Sequence, residues 1–322
     1  MQRLIDLVRG RISGEHGASA VVFSLLLVPM LGFTAIAVDI GALYAERARL
    51  QVAADAAAIA VAQDCSRGNC GDMLATAQAL ITANDGEGTA ATPVLSSAPL
   101  SVTVTGSTPK EHWFAPVIGH DSTAVSATAT VGWGNPSAGT AVLPLTFSWC
   151  AFMAQTGGVV PSAVAPAQTV KLSKSADLPD CTGPSGNVVP GGFGFLTTDS
   201  GTCEVTSALD QLLISSTGNT PPAGCDHADF TGFLTKTVLL PIFDKAGGTG
   251  SGAWYRVHGY AAFELTGYDF GGQFNTGKKV CGGNGSDRCV TGKFKRFVEL
   301  SDAWTYSSDA PALGSSILRL IR

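Results

Sequence analysis

The chain has 322 residues, 45% of them hydrophobic and only 14% charged, with 39 glycines and a formal net charge of −5. The acidic balance excludes a basic nucleic-acid-binding surface. The length and apolar fraction exclude a disordered chain and allow one or two buried cores. So few charges beside so many glycines point to a turn-rich, β-rich, extracytoplasmic chain.

Residues 18–38, ASAVVFSLLLVPMLGFTAIAV, carry no charge and reach the ~20 residues a helix needs to cross a bilayer. Arg3, Arg9 and Arg11 precede this run and Arg47 and Arg49 follow it, so the count of positive charges alone orients the span weakly. The cysteines break the tie. Cys65, Cys70, Cys150, Cys181, Cys203, Cys225, Cys281 and Cys289 all follow the run, and an even set on one side reads as disulfides in an oxidising compartment. The expected topology is a single-pass plasma-membrane protein, N-terminus cytoplasmic and everything from about Asp39 outside. A cleaved signal peptide is the rival, because Ala35-Ile36-Ala37 fits a small-x-small cleavage site. Retention is favoured, since the run exceeds a signal core and leads straight into helix-forming sequence. Within the span, Pro29 is a possible kink that lipid-buried helices tolerate. Asp39 falls at the outer end, where it is expected to reach water.

Beyond the span, Leu43, Leu50, Ala54, Ala57 and Val61 recur at spacings that form one helical stripe. The membrane helix is therefore expected to continue as a stalk, with an alanine face for close packing and Glu46, Arg47, Arg49 and Gln51 toward water. Cys65 and Cys70 staple the turn into a second helix, 73–83, and DGEGTAATP reads as a loop. LSVTVT (100–105) and STAVSATATV (122–131) alternate apolar and hydroxylated residues as half-buried strands do, with KEHWFAPVIG between them read as one short helix. From Ala141 the texture becomes short apolar runs separated by Gly, Pro and Ser, a β-dominated pattern. Its clearest strands are 235–243, 254–265 and 290–300, with 315–321 as a last one and GGTGSG (247–252) as a hairpin loop. The expected fold class is α+β: a transmembrane helix continuing into a helical stalk, a small α/β unit, then a β-rich, disulfide-stapled domain. The boundaries are a cytoplasmic tail at 1–17, the span at 18–40, stalk and α/β unit at 41–135, and the β-rich extracytoplasmic domain at 136–322.

Six cysteines fall in the last domain, where crosslinks offset thin packing. Cys281 and Cys289 bracket GGNGSDR as a hairpin-tip staple. Cys150, Cys181, Cys203 and Cys225 allow three pairings; proximity in sequence alone points to Cys150 with Cys181 and Cys203 with Cys225. The aromatics Trp254, Tyr255, Tyr260, Phe263, Tyr268, Phe270 and Phe274 are read as core and rim of one sheet, against an exposed adhesive surface as the alternative.

Catalytic signals are weak. His16 sits at the membrane edge, and His112, His120, His227 and His258 lack metal-ligand partners at motif spacing. Cys225-Asp226-His227 lacks the paired spacing of a zinc site and reads instead as one half of a disulfide. There is no GxSxG elbow, and GGTGSG lies between strands without the helix a phosphate cradle requires. Asp199, Glu204, Asp210, Asp226 and Asp229 carry nothing that marks an acid–base pair or a calcium loop. The expectation is no catalytic site, no cofactor, no metal and no small-molecule substrate.

The string HGASAVVFSLLLVPMLGFTAIAVDIGALYAERARLQVAADAAAIAVA resembles the N-terminal region of the TadE/TadG-like proteins of the Tad (tight adherence, Flp) pilus system. The shared pattern is a Gly-Ala start, an apolar span carrying a proline, VD-x-G, an aromatic, an Arg-rich patch and LQ-x-AADAAA. Here it is carried by Gly17, Pro29, Asp39, Gly41, Tyr44, Leu50, Gln51 and Asp55. One departure matters. TadE-type pseudopilins carry Glu near the start of the apolar run, where this chain has Val22, and a Gly followed by Glu at the pilin spacing occurs only at Gly10 and Glu15, well before the run. The resemblance therefore implies an unprocessed, TadG-like anchor: a membrane-anchored, non-enzymatic structural component of pilus assembly or anchoring, with membrane lipid and other pilus-assembly or envelope proteins as partners. The alternatives are a processed minor pseudopilin in the fibre and a membrane-anchored adhesin or binding protein.

Overall fold

The computed structural model describes residues 16–161, 166–172, 178–277, 280–282 and 287–321. The expectations placed on residues 1–15, including Arg3, Arg9, Arg11 and the Gly10–Glu15 spacing, and on the tip 283–286 between Cys281 and Cys289, lie outside the described residues. The architecture is α+β, with a long apolar N-terminal helix, β-rich C-terminal sheets and four disulfides. Two compact units divide it: residues up to 60 with 72–94 and 103–129, and residues 61–71 and 95–102 with those from 130 onward.

The first unit is built on helix α1 (His16–Ser66), which runs unbroken through Pro29. Its first half is uncovered: Val22, Phe23, Leu25, Val28, Met30, Leu31 and Phe33 are all exposed. In the second half the expected stripe is buried, with Leu50, Ala53, Ala54, Ala57 and Ala58 fully inaccessible. Alanine at these positions lets neighbouring elements approach closely at little cost in side-chain entropy. Helix α2 (Met73–Asp85) begins where the Asp72 carboxylate accepts the Ala75 amide at 2.9 Å, satisfying a donor that the helix itself leaves unpaired. It contributes Ala77 and Ile81 to the core.

Strands β1 (Thr89–Ala90), β2 (Val94–Ser97), β3 (Leu100–Glu111) and β4 (Ser122–Ala141) follow. β1 and β2 pair with β3, and β3 neighbours β4. Gly106 on β3 is required by this packing: a Cβ there would sit 2.8 Å from Ile81 Cδ1 and 3.1 Å from Leu50 Cδ1. The strands are longer than the alternating segments 100–105 and 122–131. β4 runs without a break through the change of texture near residue 136. The segment expected as a short helix is instead the end of β3 plus one 3₁₀ turn, Ala115–Ile118, closed by Gly119 at φ 86°. Pro116 and a glycine in the left-handed region leave room for a single turn.

In the second unit, β5 (Leu145–Ser148) leads into α3 (Trp149–Thr156), then β6 (Gln168–Lys171), β7 (Cys181–Thr182), β8 (Val188–Val189), β9 (Phe193–Phe195), β10 (Val205–Ala208) and β11 (Leu212–Ile214). A short helix, α4 (His227–Thr231), precedes the long antiparallel pair β12 (Thr237–Gly247) and β13 (Trp254–Gly271). β14 (Phe274–Asn275), β15 (Cys289–Lys295), β16 (Phe297–Leu300), β17 (Thr305–Ser307) and β18 (Ser315–Ile321) complete the chain. One sheet has the order β6-β15-β13-β12-β5-β9, with β5 parallel to β12; in another, β18 joins β4 antiparallel and β16 parallel. The expected strand 290–300 is two strands belonging to different sheets, separated at Arg296.

Aromatic residues are interleaved with Leu, Val and Ile in the core. Phe147, Phe193, Phe195, Phe230, Phe263, Phe270 and Phe294 interlock at centroid distances of 4.6–6.2 Å, the range in which tilted and edge-on rings attract. Tyr260 is fully buried, its hydroxyl 2.9 Å from Ser207 Oγ. The disulfides join Cys65–Cys70, Cys150–Cys181, Cys203–Cys225 and Cys281–Cys289. The choice left open by the sequence thus falls to sequence neighbours.

One buried charge is central to this unit. Asp244, fully inaccessible, receives Arg256 Nη2 at 2.6 Å and Nε at 3.1 Å, and the Ser185 hydroxyl also donates to it. Burial pushes the carboxyl up, but the Arg256 and Ser185 hydrogen bonds and the guanidinium charge outweigh it and hold Asp244 below the usual carboxylate range. Burial likewise lowers His258, whose Nδ1 lies 3.7 Å from Asp244. Removing one partner of such a pair leaves an uncompensated buried charge, so Arg256→Ala is expected to cost about 3–5 kcal/mol in denaturant unfolding; a loss of about 0–1 kcal/mol, as for exposed pairs, would contradict the buried reading. Replacing Cys281 and Cys289 by Ser is expected to destabilise this unit by roughly 2–3 kcal/mol, the order expected for a small closed loop.

Candidate functional site

The stripe that docks α1 begins earlier than its apolar residues. Asp39, Glu46, Leu50, Ala54, Ala57 and Val61 are spaced by seven, four, four, three and four, one continuous helical face. Its first two members are acidic, yet both are buried, Asp39 at 7% and Glu46 at 6% exposure. This corrects the expectation that Asp39 reaches water and that Glu46 faces it. Each is buried because it has partners on the β3–β4 hairpin.

Asp39 holds the hairpin tip. Its Oδ1 accepts the Trp113 amide at 2.9 Å, and its Oδ2 accepts the amides of Phe114 at 3.1 Å and Ala115 at 2.8 Å. These three N–H groups precede or open the 3₁₀ turn and have no partner in the strand ladder, so the carboxylate caps them from another element. His112 is fixed beside it by its ring Nε2, 2.8 Å from Thr123 Oγ1.

Two turns along α1, Glu46 pairs with Lys110 of β3 at 2.8 Å, and Arg49 stands 3.7 Å from it. The Lys110 hydrogen bond leads the effects that hold Glu46 below its ordinary range. Asp85, at the end of α2, is the counterpart: burial first and then the adjoining Glu46 carboxylate push it up to about 6, with Thr108 and Arg49 opposing. The two carboxyls divide their roles, one ionised against lysine and the other inclined to keep its proton. Further along, Gln51 Nε2 donates to Asp55 Oδ1 at 2.8 Å and to the Thr128 carbonyl of β4 at 3.2 Å.

The motif residues of the N-terminal string therefore separate by task. Asp39, Leu50, Gln51 and Asp55 meet the hairpin, the core or one another. Pro29 lies inside the uncovered half of α1. Gly17, Gly41 and Tyr44 are exposed, and added Cβ atoms at the two glycines would meet nothing within 4 Å. Glu46, read from sequence as facing water, and Lys110, read only as part of a short helix, complete this site. The available signal was that Asp39 and Glu46 are in phase with the alanine stripe.

The other candidate groups have structural partners. The Cys203, Cys225 and Asp229 ligand atoms lie close enough together to suggest a metal clip, but both sulfurs are joined in a disulfide and Asp229 belongs to the capping box of α4 with Asp226. Asp199 accepts the amide and hydroxyl of Thr206. His227 Nε2 lies 3.5 Å from the Asn275 carbonyl. Glu204 and Asp210 are not brought together with these into one cluster. GGTGSG forms a 3₁₀ turn between β12 and β13.

Fold and site thus define an α+β protein whose N-terminal helix is apolar and uncovered in one half and docked through a mixed acidic and alanine stripe in the other. Residues 17–64, the whole of that helix apart from its ends, match the family model described as putative Flp pilus-assembly TadE/G-like. No curated protein and no solved structure matches the chain.

Two outcomes test the site. Asp39→Ala leaves three tip amides without their acceptor and is expected to cost about 1.5–3 kcal/mol in the stability of the first unit, the worth of hydrogen bonds to a charged group; an unchanged unfolding midpoint would contradict the cap. The Asp85 carboxyl binds its proton more tightly folded than unfolded, so its contribution to stability is complete below the model-compound value of 3.8 and is lost as pH rises through about 6. Asp85→Asn is therefore expected to be more thermostable than wild type above that window, and thermal scans across pH should show the advantage shrinking as pH falls through it. A pH-independent difference would contradict the raised carboxyl.

Proposed function

We propose that this chain is a membrane-anchored structural component of Tad/Flp pilus assembly or anchoring, of the unprocessed TadG-like type, and not an enzyme. The observation that carries the reading is the coincidence of the family match over 17–64 with one continuous helix that is apolar and uncovered in its first half and packed in its second. Residues 19–38 present apolar side chains on all sides over a length that suits a bilayer. From Asp39 onward the same helix is tied to folded structure by Asp39, Glu46 and the alanines. The proposed topology has the N-terminus in the cytoplasm and the four disulfides outside, where they are stable. In this role the protein transmits attachment: the span fixes it in the plasma membrane, and the extracytoplasmic units offer surfaces to other pilus-assembly or envelope proteins.

Deletion in the native bacterium followed by counting of surface pili tests the role. Loss of pili, restored by the wild-type chain, is the expected result; normal piliation without the chain would sink the reading and favour an envelope adhesin. The mass of the mature N-terminus tests the type. An intact N-terminal segment supports the retained anchor, whereas cleavage after Gly10 or Gly17 would place the protein among processed pseudopilins.

A further inference from the structure

The β3–β4 tip carries more apolar surface than a solvent-facing turn needs. Within six residues, Trp113, Phe114, Val117 and Ile118 are 72%, 47%, 90% and 74% exposed. Phe114, Val117 and Ile118, together with Leu31, Ile36 and Ile40 of α1, border a cleft of about 770 Å³. Leu31 lies eight residues before Asp39, or about 12 Å along the helix axis at 1.5 Å per residue. The tip thus stands beside the outer part of the segment that spans the membrane.

Most backbone N–H groups of the tip have partners within the chain. The amides of Trp113, Phe114 and Ala115 donate to Asp39. Residue 116 is proline and has no N–H. Val117 donates to the Phe114 carbonyl, Gly119 to Pro116 and His120 to Ala115, while His112 closes the base by donating to the Asp121 carbonyl. Hydrocarbon tolerates non-helical backbone only where its polar groups are satisfied internally. The polar side chains cluster at the base, where Lys110, Glu111, His112, His120 and Asp121 flank an apolar end bearing a tryptophan. That order, polar base then aromatic then aliphatic, matches the polarity profile of a bilayer interface.

We propose that the 113–118 turn is a second membrane contact, inserting into the outer leaflet alongside α1 with lipid acyl chains filling the cleft between them. This rests on the membrane-anchor reading. Asp39 then has a purpose in this setting: it accepts three backbone donors that would otherwise enter lipid unpaired. The contact fixes the hairpin against the membrane plane, so the protein is held by a helix and a turn together.

The test uses the full chain reconstituted in liposomes of phosphatidylcholine and phosphatidylglycerol. The cysteines are all consumed in disulfides among the described residues, so a single added cysteine carries an environment-sensitive nitrobenzoxadiazole label. Val117→Cys is the probe, Phe33→Cys reports the span, and Val188→Cys, exposed on the second unit, reports water. The expected result is a blue-shifted Val117 label that loses emission to lipids spin-labelled near the head of the acyl chain, the same response at Phe33 and none at Val188. A Phe33 label quenched by lipid beside a Val117 label that behaves like Val188 overturns the tip contact and leaves the anchor standing. A Val117 label that is shielded from water yet unaffected by the lipid quencher means that protein, such as a second copy of this chain, covers the tip, and overturns the proposal as well. If neither Phe33 nor Val117 responds to lipid, the anchor reading itself fails and the tip contact with it.

Discussion

Three backbone N–H groups on one carboxylate govern how the first unit is assembled. A 3₁₀ turn of four residues leaves its leading amides without partners, and Asp39 supplies both oxygens to them from a different element. Because Asp39 sits where the uncovered apolar half of α1 ends, this contact fixes where the helix stops being free and starts being packed. Glu46 with Lys110, Gln51 with the Thr128 carbonyl, and the alanine face then repeat the attachment along the same side of the helix. Acidic residues at the head of the stripe also give the docking polarity. A purely apolar stripe continuing from a 20-residue apolar span could slide or rotate at small cost, whereas a carboxylate that must meet three amides accepts one register.

The pair Glu46 and Asp85 adds a second constraint. Two carboxyls brought together beside one lysine cannot both ionise without cost, so α1, α2 and β3 are joined through a site that holds one negative charge below about pH 6 and takes up a second only above it. The Asp244–Arg256 pair has a comparable place in the second unit, where a buried charge has a matched bidentate partner on the neighbouring strand. In both units, buried polar groups that specify geometry sit among apolar core residues, and the disulfides, all in the second unit, close loops with sequence separations of 5, 31, 22 and 8.

Much of this is legible in the sequence. The uncharged run 18–38, the alanine period after Leu50, the alternation in β3, β4 and β13, and the preference of cysteines for near neighbours all follow from local pattern. What local pattern hides is partnership across long separations. Asp39 and Glu46 look like water-facing residues because their partners, the 113–115 amides and Lys110, lie more than sixty residues away. They were nevertheless in phase with the stripe, so their burial was open to inference from periodicity. Asp244 was not: the ladder between β12 and β13 slips at Phe243 and Lys245, and such an irregularity re-aims a side chain in a way no alternation of residue types foretells. The short helix expected between β3 and β4 failed for a plainer reason, since Pro116 and Gly119 restrict it to one turn and the extended strand takes the rest.

Among the described residues, the exposed half of α1 and the four exposed apolar residues of the tip meet at the Asp39 cap. Its most direct measurement is amide hydrogen exchange at Trp113, Phe114 and Ala115, compared between the wild-type chain and Asp39→Ala in the same detergent micelle. The account predicts slow exchange at these three amides in the wild type and selective acceleration in the variant, with the β12–β13 amides unchanged. Equal exchange at 113–115 in both proteins would contradict it, because the turn would then be held by something other than the Asp39 carboxylate of α1.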